Sequence, residues 1–180
     1  MFFSIIFACS NATKFETDTA TSLEETTEPT SEPSADSGNI PNDFPVRFNE
    51  VLSKSDITED WIEIVNSDDH SFNLSGYGLM DEGTLDSPCS FAEGTVIDVG
   101  EIFIVWADDS GTMDNQANIN SPFHCNFKLS KDGESIYFID PNGNQLSALT
   151  FPAMEAEQSY ARQSDDSWII VDNPSPGFPN

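Results

Sequence analysis

The sequence predicts an all-β domain: a β-sandwich of roughly eight to ten short strands, preceded by a disordered N-terminal tether. Three observations carry this. Short runs of alternating or continuous apolar residues recur with turn residues between them. No stretch combines helical periodicity with caps over the length a helix needs. The composition also changes abruptly near Asp43, from polar and acidic to strand-like.

Taken in order, "VRFNEVL" alternates, with Val46, Phe48 and Leu52 along one side of the run. "DWIEIVN" puts Trp61, Glu63 and Val65 on one face and Ile62 and Ile64 on the other. "EIFIVWA" is a continuous apolar run that fits a strand covered on both faces. "HCNFKLS" places Cys125, Phe127 and Leu129 on one face. "SIYFIDPNGNQLSALTF" reads as two strands around Pro-Asn-Gly-Asn, where Asn-Gly accepts the positive φ that hairpin turns need. "SWIIVD" closes the series.

The N-terminal part divides again. Residues 1–9, "MFFSIIFAC", are apolar up to Cys9, and "IFAC" resembles a lipobox, in which the cysteine becomes the lipidated N-terminus. The run lacks a basic n-region and the usual length, so the true start is expected upstream of Met1; a chance cysteine is the alternative. Residues 10–43 are Thr, Ser, Glu and Pro with almost no large apolar side chain, so burial cannot offset their ordering entropy. As a coil this tether spans about 30 Å. Residues 44–180 form the sandwich.

Charge narrows the function. The chain has 180 residues, 32 acidic against 6 basic, for a net charge of -26. Phosphate backbones need clustered Lys and Arg, so nucleic acid is excluded as a partner. Contact with a membrane is expected only through the lipid anchor. Such a surface favours solubility and attracts cations or basic partners.

The order "FNEVL", "DWIEIVN", "LSGYGLMD", "FAEGTVIDVGEIFIVWAD", "NFKLSKDGESIYFIDPNGNQLSALTF", "QSYAR" and "NPSPGFPN" resembles a bacterial lamin tail domain over nearly all of residues 46–180. The resemblance implies a compact immunoglobulin-like β-sandwich with no catalytic activity, acting in binding or attachment. It implies Trp61 as a large core anchor, Gly76 and Gly78 as close-approach positions, and "PSPG" as a terminal turn sealing the sandwich edge. Tyr77 stands where the family commonly has Trp.

Four groups of residues are candidates for chemistry. Asp68, Asp69 and His70, in "SDDH", combine possible metal ligands with ordinary turn residues, and without a further converging ligand they read as a solvated turn. Asp108, Asp109, Asp114 and Asn115 are hard oxygen ligands on a Gly-containing loop, the better candidates for Ca²⁺, although their spacing is not that of an EF-hand. Cys89 and Cys125 form a disulfide if the domain is exported, or else remain two buried thiols. Zinc at His124 and Cys125 is disfavoured because neighbours on a strand point to opposite faces. No G-x-S-x-G elbow or H-E-x-x-H occurs, and Glu63 and Arg162 are assigned structural roles, with Arg162 paired to a strand carboxylate.

The expected protein is therefore an exported, monomeric, non-enzymatic binding module, held at the cell envelope as an outer-membrane lipoprotein or released outside the cell. Its partner would be a protein or an envelope component. The alternative is a secreted Ca²⁺-dependent adhesin, or an accessory domain serving a separate hydrolase.

Overall fold

A computed structural model describes residues 44–82, 87–110 and 123–180. The lipobox, the tether, Asp114 and Asn115 lie outside the described residues. Those described form an all-β sandwich with no helix. Twelve strands are present, more than expected because three are two-residue pieces: β1 (Val46–Leu52), β2 (Asp60–Asn66), β3 (Phe72–Asn73), β4 (Gly78–Asp81), β5 (Cys89–Ser90), β6 (Val96–Ile97), β7 (Ile102–Ala107), β8 (Phe123–Cys125), β9 (Gly133–Ile139), β10 (Gln145–Pro152), β11 (Ser159–Arg162) and β12 (Trp168–Val171).

The first sheet has six strands in the order β12-β11-β1-β2-β7-β8, and the second has four, β10-β9-β4-β5; β3 and β6 pair separately. All pairs are antiparallel except β7 with β8. The core lies between the two large sheets. Ile62, Ile64, Phe103, Val105, Ile136, Phe138 and Leu149 belong to it, with Leu79 and Phe151. Phe138 gathers Phe44, Phe48, Phe91 and Tyr77 around it, with ring centroids 4.7 to 6.5 Å away, the spacing that aromatic pairs favour.

Strict alternation fails in β1. The β1–β2 register shifts between Phe48 and Glu50, so Phe48 opposes Ile64, Glu50 opposes Glu63, Val51 opposes Ile62 and Leu52 opposes Trp61. Cross-strand partners share a face, so this bulge at Asn49 turns Val51 into the core and Leu52 out of it. Leu52 is therefore not beside Val46 and Phe48, and Trp61, though 2% exposed, stands on the outer face of the six-stranded sheet. β7 alternates rather than being covered on both faces: Phe103, Val105 and Ala107 are buried, while Ile102, Ile104 and Trp106 are half-buried. Its outer side chains have only partial cover there.

Two glycines are demanded by geometry. At Gly133 (φ 88°), a Cβ would lie 2.7 Å from the Phe151 carbonyl oxygen. At Gly78 a Cβ would lie 2.9 Å from the Cys89 carbonyl oxygen, so its absence lets β4 and β5 close up. Gly76 instead serves a turn, with φ of 76°. In the β9–β10 hairpin only Gly143 takes positive φ, and Asn142 does not. The Asp140 carboxylate accepts from the Asn142 and Asn144 amides at 2.8 Å and holds the turn.

Candidate functional site

Six strands facing four cannot match. The disulfide Cys89–Cys125 joins β5 to β8, with Cα atoms 5.4 Å apart, so the sheets are aligned at that side and the excess falls at the other. There β10 comes against β1, and β11 and β12 extend beyond it. Among the described residues two edges are unpaired on this side, those of β10 and β12. The inner face of the overhang carries Tyr160 stacked on Trp168, centroids 5.2 Å apart. Ile169 and Ile170 are 46% and 42% exposed on the two faces of β12.

Between the β10 edge and this overhang lies a hollow of about 300 Å³. Its floor is Val46, Phe48, Leu146, Leu149 and Trp168, and both arginines of the chain, Arg47 and Arg162, line it. Arg162 bonds to Asp166 across the β11–β12 turn, and not to a strand carboxylate as expected, because the hairpin brings a carboxylate nearer. Arg47 is exposed and has no ion pair among the described residues. The sequence reading passed over Arg47 and Trp168; two arginines alone in so acidic a chain were the available signal.

The outer face holds a buried polar cluster. The bulge in β1 sets Glu50 directly across from Glu63, and both are fully buried. The C-terminal segment crosses them. The Ser175 amide and hydroxyl donate to Glu50 at 3.1 and 2.9 Å, and the buried Ser159 hydroxyl also donates to it. The Gly177 amide donates to Glu63 at 2.7 Å, and Asn49 donates to it at 2.6 Å. "PSPG" thus seals a sheet face and not the sandwich edge. Burial pushes the Glu63 carboxyl up to about 7, against the Gly177 and Asn49 hydrogen bonds, and the Glu50 carboxylate adds to the rise.

The other candidates separate. Asp68, Asp69 and His70 sit in the β2–β3 connection, exposed, with ligand atoms within 4.8 Å of one another. Buried Asn66 organises that turn: it accepts from the Asp68 amide and donates to the His70 and Ile97 carbonyls. Asp108 meets His124 at 2.6 Å. Burial raises its carboxyl, but hydrogen bonds from Ser110 and His124 outweigh that and hold it below the usual range. Asp109 is exposed at φ 59°. Cys125 is committed to the disulfide, and its neighbour His124 to Asp108. No described helix is long and apolar enough to cross a membrane.

No curated protein and no solved structure matches the chain. Residues 41–153 match the Lamin Tail Domain, and the described strands of that span form its sandwich, with β11 and β12 beyond it completing the larger sheet. The chain belongs to the lamin tail domain family.

Proposed function

We propose that this protein is a non-enzymatic interaction module that binds partner proteins through the open side of its sandwich, and that Cys9 anchors it to the cell envelope through the acidic segment of residues 10–43. The observation that carries the reading is the unmatched sheet size. Among the described residues it leaves two unpaired edges and apolar side chains at the end of the larger sheet, Trp168 and Ile170 on its inner face and Ile169 on its outer face. Open edges and apolar patches are where sandwich domains accept other chains. The anchoring half rests on the apolar run ending at Cys9 and on the composition after it.

A photo-crosslinking side chain at position 170 tests the first half, with position 99, also exposed, as the control site. Discrete products from position 170 alone are expected in the producing cell; equal labelling from both positions would sink the reading. Incorporation of a labelled fatty acid, lost in Cys9→Ala, tests the second half.

A further inference from the structure

We propose that residues 174–180 form a proton-gated strap over the outer face of the larger sheet. The strap stays down while the Glu50–Glu63 pair holds a proton and lifts when the pair loses it, leaving the sandwich beneath intact. Neither state depends on what the open side of the sandwich binds.

Three observations converge. Glu50 and Glu63 oppose each other in the β1–β2 register and are fully buried, and like charges set directly across a strand pair repel. Among the described residues no basic side chain pairs with either. β7 presents Ile104 to Glu63, and β11 presents Ala161 and the Ser159 hydroxyl to Glu50. Arg47 opposes Val65 further along β1 and is exposed, Arg162 bonds Asp166, and Asp172, just before the strap, bonds Gln158. Buried carboxyls without a counter-ion keep a proton that they would release in water.

The strap itself provides the cover, with the Ser175 amide on Glu50 and the Gly177 amide on Glu63. These amides favour the ionised form, yet with them in place burial still pushes the Glu63 carboxyl up to about 7.

The third observation is a count of hydrogens. The Ser175 hydroxyl lies 2.9 Å from Glu50 and 2.5 Å from the Asn180 side-chain oxygen, two acceptors for its one hydrogen. The Asn180 amide nitrogen donates to the Asn49 carbonyl at 3.2 Å and so fixes that oxygen's position. With both carboxyls ionised, the hydroxyl can donate to Glu50 or to Asn180 but not to both. A proton on the carboxyl side can donate to Ser175, which then donates to Asn180, and every contact is made.

Once the strap lifts, the carboxyls meet water and titrate near the ordinary value of 4.5. The raised value belongs to the closed strap, so closure is fully favoured below about pH 4.5 and weakens as pH rises to about 7.

The test is native-state hydrogen exchange of the isotope-labelled full chain, read by NMR at the Ser175 and Gly177 amides. After correction for intrinsic exchange, protection of both should fall roughly 70-fold from about pH 5 to about pH 8. It should not respond to low urea, because lifting a short strap exposes little surface, whereas protection in β2 should respond steeply. In Glu63→Gln the profile should be flat with pH; the wild-type profile decides alone if that variant does not fold. Protection independent of pH in the wild type overturns the proposal. Strap amides that follow urea as steeply as Ile62 and Ile64 overturn it too, since the strap then lifts only when the whole domain unfolds. A Glu63→Gln profile as steep as the wild type's takes the proton away from this pair and overturns it likewise.

Discussion

Replacing Glu63 by glutamine isolates the energetic consequence of the buried carboxylates. The folded carboxyl is raised from an ordinary value of 4.5 to about 7, whereas the unfolded chain releases that proton near 4.5. Between these values the folded state holds the extra proton, so stability falls as pH rises, by about 1.4 kcal/mol per pH unit. The charged form thus costs the fold at most about 3–4 kcal/mol, felt fully above pH 7 and not at all below pH 4.5. Glutamine carries no charge to desolvate, and its carbonyl can still accept from the Gly177 amide. Glu63→Gln should therefore melt like the wild type at about pH 4.5 and roughly 10 °C higher at about pH 8. Circular-dichroism melts of both proteins across that range decide it. General self-repulsion of so acidic a chain also grows with pH, but it is common to both and cancels in the difference. Parallel melting curves for the two proteins would refute the reasoning.

The remaining predictions concern the same sandwich. Deleting residues 174–180 removes the Ser175 and Gly177 donors and opens the carboxylates to water, so stability should no longer fall between about pH 4.5 and pH 7, as the same melts would show. Gly133→Ala forces a Cβ against the Phe151 carbonyl at positive φ and should lower stability by about 2–4 kcal/mol, read from the urea midpoint. Replacing Cys89 and Cys125 together by serine should remove about 4 kcal/mol on the chain-entropy account, measured by calorimetry. Alkylation of the unreduced protein should leave both cysteines unlabelled.

The strands were legible because their periodicity is local. Where a run alternates, its own spacing declared the buried side, as in Cys125, Phe127 and Leu129, whereas the continuous run of β7 hid that only Phe103, Val105 and Ala107 are buried. Cys89 and Cys125 were legible as a pair because few cysteines were left to choose from. The bulge at Asn49 was not, since one inserted residue reverses facing without altering composition, and nothing local marks it. Everything after it followed: Leu52 was given to the wrong face, and Glu50 was left out of the reading. The cleft was invisible for a different reason. It exists only because two sheets of unequal width are brought together by distant segments, and Arg47, Leu149 and Trp168 meet across long stretches of chain. "SDDH" drew attention through its residue types, although its geometry is set by Asn66 just before it.

The position of the Cys89–Cys125 link also bears on how the molecule moves. The covalent tie between the large sheets described here lies at the β5–β8 side, and the opposite side is closed by packing alone. Fluctuations that part the sheets should therefore swing about the sulfur bridge like a door about its jamb, with the widest travel at β10. Hydrogen exchange at the β10 amides should report that swing, and reducing a bond on the far side of the molecule should loosen it. The cleft would then have an aperture set by redox state, although neither Cys89 nor Cys125 lines it.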